Sequence, residues 1–139
     1  MDWKTRFTQH LSSVLNKRFK WGKQDCCMFA ADCLVNICGI DILEDYRDRY
    51  STEEEAQAFI DEHGGTLSKF LTFICRKYKF KKVHPKKAQN GSLCLVNTDI
   101  GDTAGILWNG KVWAQGPKQV ICAPRSYIKR AWSLPKENN

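Results

Sequence analysis

A change of pattern around Pro85 constrains this chain more than any other feature. Ahead of it, apolar residues recur with the 3.6-residue period of helices lying on a core. Beyond it they fall into short runs, "SLCLVN", "TAGILW", "KVWAQ" and "QVICA", divided by Gly, Asn, Asp and Pro. One class of element cannot satisfy both patterns. Helices come first and a meander of strands follows, an α+β arrangement with an antiparallel sheet. Asn109-Gly110 stands between two of the runs and predicts a type I′ hairpin. "RAWSL" adds a last strand before a polar tail that is expected to fray. The 139 residues carry no internal repeat and no linker, so residues 1–139 are expected to form a single domain, with a helical part at about 1–80 and a sheet part at about 90–134.

Within the helical part, Trp3, Phe7, Leu11, Val14 and Leu15 mark one face of a helix over roughly 3–17. Gly22 breaks the chain. Cys26, Phe29, Ala30, Cys33, Leu34 and Ile37 then define the face of a second helix, with Asp25 as N-cap and Gly39 as stop. That face needs a large apolar partner, which the runs around Leu95 and Ile106 supply. Ser51 and Glu54 read as the capping box of a third helix ending at Gly64-Gly65. A fourth helix from about Thr66 to Lys77 turns Leu67, Phe70, Leu71 and Ile74 inward.

No apolar run approaches the ~20 residues that span a bilayer, and "MDWKTRFTQHL" lacks the apolar core of an export signal. No membrane span is expected, and synthesis and folding in the cytosol are. The seven cysteines include no C-x-x-C pair, which argues against a zinc ribbon or a thioredoxin-like motif. Neighbouring Cys26 and Cys27 point in different directions on a helix and cannot comfortably grip one metal. No metal and no cofactor are expected. Cys33, Cys38, Cys75, Cys94 and Cys122 read as small buried hydrophobes in a reducing compartment.

The net charge of +7 is concentrated in one segment, "RKYKFKKVHPKK" at 76–87, with seven Lys or Arg and no acid. Removing those seven from the 22 basic residues leaves fifteen against fifteen acidic ones, so the rest of the chain is formally neutral. Lys77, Lys79, Lys81, Lys82, Lys86 and Lys87 could hold a polyanion, with Tyr78 and Phe80 stacking between them. The plainer alternative is an edge strand with Lys77, Lys79 and Lys81 on one face and Tyr78 and Phe80 on the other, its lysines guarding the edge.

Cys26 occupies the first turn of the second helix, where free amides and the helix dipole favour a thiolate. Cysteine peptidases use this geometry: the nucleophile opens a helix packed on an antiparallel sheet, and the sheet supplies a histidine and its polar orienter. Cys26 therefore reads either as a reactive thiol or as an inert core residue, and Cys27 as a packing residue. Gln24 is a candidate oxyanion donor or a turn residue. Trp21 and Trp113 fit core positions or cleft walls. Asp32 and Asp41 either pair with nearby bases or serve as solvated caps and turns.

"WGKQDCCMFAADC" resembles the nucleophile segment of the NlpC-type, papain-like hydrolases. More closely, the chain resembles a little-characterised phage and prophage family of about this length, found near tail-assembly genes. Its W-G-x-x-D-C-C motif corresponds to Trp21-Gly22 and Asp25-Cys26-Cys27, A-A-D to Ala30-Ala31-Asp32, and G-x-D to Gly39 with Asp41. R-x-x-Y corresponds to Arg47 with Tyr50, the glycine pair to Gly64-Gly65, and the closing A-W to Ala131-Trp132. Gly116-Pro117 also matches.

The resemblance implies a papain-like, NlpC-type core and a tail-associated cell-wall hydrolase with a degenerate catalytic site. Its partner would be peptidoglycan or a phage tail protein, and its location the host cytoplasm or the virion. The alternative is a non-catalytic binding or inhibitor protein that engages a host protein or nucleic acid, the latter through 76–87. The degeneracy shows in the strands. Thr103 lies where such enzymes carry the basic histidine, and Ala114, with Gln115 adjacent, lies at the orienter position. His10, His63 and His84 all fall outside the strand segments.

Overall fold

In the computed structural model, which describes residues 2–136, the four α-helices are complete before Pro85 and five of the six strands follow it. The helices are α1 (Trp3–Val14), α2 (Cys26–Cys38), α3 (Glu53–Asp61) and α4 (Leu67–Lys77). The strands are β1 (Lys81–Val83), β2 (Leu93–Thr98), β3 (Gly101–Trp108), β4 (Lys111–Gln115), β5 (Val120–Pro124) and β6 (Ile128–Ser133). They form one antiparallel sheet in the order β1-β6-β2-β3-β4-β5. The α+β reading holds, with the sheet starting at Lys81 rather than near residue 90. The end of the polar tail, 137–139, lies outside the described residues.

Helix α1 packs on α2, and α2 lies against β3 and β4. The main core joins Phe7 and Leu11 of α1, Phe29, Cys33 and Leu34 of α2, Leu71 and Ile74 of α4, and Leu93, Leu95 and Ile106 of the sheet. Along β2 the pleat sends Leu93 and Leu95 to this side. Cys94 and Val96 go to a smaller cluster on the opposite face, with Leu107, Val112 and Ala131. Trp108 and Lys111 pair across Asn109 (φ 51°) and Gly110 (φ 80°), the two positive dihedrals of the expected hairpin.

Several local expectations shift. Helix α1 ends at Val14, short of residue 17. Thr52, one residue after Ser51, caps α3: its Oγ1 accepts from Glu55 N at 3.1 Å, while Glu55 Oε1 accepts from Ser51 N at 3.1 Å. The box is therefore Thr52 with Glu55, and the helix closes at Asp61. Cys33, Cys75 and Cys94 are buried, but Cys38 is only partly covered and Cys122 is exposed.

The basic segment is not one alternating strand. Lys79 N donates to Arg76 O and Phe80 N to Cys75 O at 2.8 Å, with Lys79 at φ 67°. This is a Schellman stop, which ends α4 and drives Phe80 into the core at 4% exposure. Only Lys81–Val83 extends as an edge strand, beside β6.

Candidate functional site

Between α1 and α2 the chain makes a tight turn. Gln24 N donates to Lys20 O at 2.8 Å and Lys20 N to Gln24 O at 3.2 Å, with Gly22 at φ 79°. A Cβ on Gly22 would lie 2.0 Å from Tyr50 O, so glycine is required both for the dihedral and for the approach of the later chain.

Asp25, 2% exposed, collects the ends of this arrangement. Its Oδ1 accepts from Met28 N at 2.8 Å, and its Oδ2 from Gly22 N at 2.9 Å and Tyr50 Oη at 2.5 Å. One carboxylate thus caps α2, closes the turn before it and anchors the loop after it. Arg47 performs a similar task further along. Its Nε and Nη2 each bind Asp41 at 3.1 Å, and Nη2 reaches Asp32 Oδ1 of α2 at 2.8 Å. Asp32 and Asp41 are therefore both ion-paired, and Asp41 also holds its own turn, its Oδ1 accepting from Leu43 N at 3.0 Å.

On this platform Cys26 and Cys27 both line a cleft of about 500 Å³. The neighbouring Cys27 thiol draws the Cys26 pKa below its ordinary value. Burial opposes it, the N–H of Ala104 and the amide of Cys27 assist, and the charge of Asp25 opposes. The same interaction, with burial, pushes Cys27 well above the ordinary value. Cys27 lines the cleft as well as packing against the core, which corrects its reading as packing alone.

Thr103, the residue at the expected histidine position, is buried and lines the same cleft. Its Oγ1 donates to Gly101 O at 3.1 Å. On the next strand the pleat turns Gln115, not Ala114, into the cleft. Gln115 is fully buried: Nε2 donates to Lys17 O at 2.8 Å and to Gly116 O at 3.0 Å, and Oε1 accepts from Gln24 Nε2 at 2.8 Å. Gln24 itself is outside the cleft lining and braces Gln115. Asp102 stands exposed at the mouth. The Asn97 amide and then Lys129 hold its carboxyl below the usual range.

The histidines lie elsewhere, as expected. His10 is on α1, His63 stacks on Phe73 with centroids 3.9 Å apart, and His84 caps the short turn at Pro85–Lys87. None of the three lines the cleft. Among the described residues no group of three or more His, Cys, Asp or Glu side chains converges as a metal site.

The other wall is largely aromatic and apolar, with Glu53 and Gln57 of α3 also on it. Tyr50, Phe59, Tyr46 and Phe70 form a run of edge-on rings, with successive centroids at 6.2, 5.0 and 5.4 Å. Of the lysines in the basic segment, Lys77 pairs with Asp45. Lys79, Lys81, Lys82, Lys86 and Lys87 are exposed. These five have no carboxylate partner among the described residues. None of the five lines the cleft. No described helix is long and apolar enough to cross a membrane.

The chain matches a family described as a domain of unknown function, DUF6950, over residues 1–134. Among curated proteins none matches it.

Proposed function

Since the chain belongs to the DUF6950 family, a domain of unknown function, we propose a role from the site itself: an NlpC-type, papain-like cysteine protein in which Cys26 is a nucleophile toward acyl carbonyls. The observation that carries this reading is the placement of Cys26 as the first residue of α2, directly behind the Asp25 cap and lining the cleft with Thr103 and Gln115. A helix start favours the thiolate without an imidazole. The reading includes a phage or prophage origin and association with the tail and the cell wall, with synthesis in the host cytoplasm. Thr103 and Gln115 stand where the related enzymes carry base and orienter, and neither can take up a proton at neutral pH. The catalytic site is degenerate by the peptidase standard.

The test is alkylation with peptide mapping. Thiolate is the reactive form, so a lowered pKa makes Cys26 react at lower pH than a free thiol (about 8.5), and a raised one keeps Cys27 silent through neutrality. Iodoacetamide at pH 7 is expected to modify Cys26 first, and Cys26→Ala to abolish any acyl chemistry. Cys26 reacting no faster than buried Cys33 would sink the proposal.

A second reading rests on Lys79. A lysine holds the left-handed position of the Schellman stop, where glycine is least costly, and its charge joins exposed Lys81 and Lys82 on the edge strand and Lys86 and Lys87 in the turn after it. On this reading the edge is a polyanion surface, engaging nucleic acid or an acidic host protein.

A further inference from the structure

Resting on the reading of Cys26 as a nucleophile, we infer that the cleft takes an acyl thioester with an apolar acyl group and that Cys26 passes that group from one thiol to another. The leaving group decides the class. An amide nitrogen must be protonated before it departs, which is the histidine's second task in a peptidase. The groups around Cys26 are poor proton donors for this. The Tyr50 phenol is committed to Asp25, and burial with that negative charge pushes its pKa up. Tyr46 is also pushed up by burial. Asp102 is held ionised by Asn97 and Lys129. Thr103 and Gln115 do not exchange protons at neutral pH.

A thiolate needs no such help to leave. Cys26 Sγ attacks the carbonyl carbon and forms a new C–S bond. The tetrahedral oxyanion meets the Cys26 N–H, which as the first amide of the helix has no intrahelical partner. The old C–S bond breaks, and its electron pair departs on the donor thiolate. An acceptor thiol, having lost its proton to solvent, then attacks acyl-Cys26 and releases the Cys26 thiolate. Nothing is oxidised or reduced.

The acyl group is assigned from the other wall. The ring run begins at Tyr50, bonded to Asp25 immediately before Cys26, and ends at Phe70. Helix α3 adds Ala56 and Ile60 to the lining, with Glu53 and Gln57 one turn apart beside them. Ile100, 51% exposed, gives a further apolar contact on the β2–β3 turn.

The experiment incubates the full chain with S-octanoyl and S-acetyl thioesters of N-acetylcysteamine and with the matching octanoyl amide, followed by intact mass and peptide mapping. Octanoyl on Cys26 is expected to form at least about tenfold faster than acetyl, each added methylene being favoured by burial. The adduct should persist in buffer and move to 2-mercaptoethanesulfonate when that thiol is added. The amide should leave no adduct and not be turned over. Phe59→Ser should bring the octanoyl rate toward the acetyl rate. If iodoacetamide labels Cys26 rapidly but neither thioester does, the thioester assignment falls and the nucleophile stands. If Cys26 is as slow as Cys33 toward both, both fall. Turnover of the amide overturns the leaving-group argument, and equal octanoyl and acetyl rates overturn the apolar one.

Discussion

Helix α2 buries seven of its thirteen residues, whereas α3, which contributes to the opposite wall of the same cleft, buries none of its nine. The α2 side is fastened at every end. Asp25 receives three donors, Arg47 ties two carboxylates together, and Leu34 and Cys33 are fully covered. The α3 side has its N-cap and capping box, and its Ala56, Phe59 and Ile60 line the cleft, with Ile60 alone of the three also packed against the main core. The difference separates two tasks. A thiol whose reactivity depends on its place at a capped helix start must be held still, while a wall that receives a ligand can give. Elements of this second kind open at lower free energy than the core.

The largest test of the contrast is Leu34→Ala. Leu34 is 0% exposed at the centre of α2, and its truncation should cost about 2–5 kcal/mol, read as a fall in the urea midpoint. A loss below 1 kcal/mol would mean that α2 is not the anchored element. Tyr50→Phe comes next, at about 1–3 kcal/mol, since it leaves the buried Asp25 carboxylate one donor short. It should also slow alkylation of Cys26 by loosening the helix start. Unchanged stability together with unchanged alkylation would make Tyr50 a bystander. Thr52→Ala removes the cap of α3 and should cost about 0.5–2 kcal/mol. Hydrogen exchange should accelerate in 53–61 while Cys26 keeps its reactivity. If Cys26 slows as well, the two walls are one cooperative unit and the contrast fails.

The same asymmetry governs what could be read from the sequence. Elements specified by local pattern were legible: the face of α2, its Asp25 cap and Gly39 stop, the Asn109-Gly110 hairpin, and the antiparallel sheet. Cys26 and Thr103 both line the cleft. Tyr50 and Gln115 were legible only as motif or neighbour, because their partners are 25 and 91 residues away in sequence. A one-residue choice of pleat then decided between Ala114 and Gln115. The nearest sequence signal for Gln115 is an uncharged polar residue closing an apolar strand just before Gly116-Pro117. The basic segment was misread for a different reason. An alternating pattern predicts a strand, yet the helix before it had still to end, and its stop consumed Lys79 and Phe80.

That stop supplies the smallest expected change in stability. Lys79 has φ 67°, in a region that costs an L-residue roughly 1–2 kcal/mol and a glycine little. Lys79→Gly should therefore stabilise the fold by roughly 0.5–1 kcal/mol after the greater chain entropy of glycine is counted against it. Lys81→Gln and Lys82→Gln, exposed on the edge strand, should each change stability by less than about 0.5 kcal/mol. These three lysines are then free to be judged by binding alone. If the edge holds a polyanion, replacing all three should weaken heparin or DNA binding and lower the slope of log affinity against log salt by roughly two to three, one counterion for each lost contact. A slope that does not move assigns these lysines to guarding an exposed edge. Lys79→Gly then becomes a stabilised protein that has lost nothing, and the case for a second functional surface ends with it.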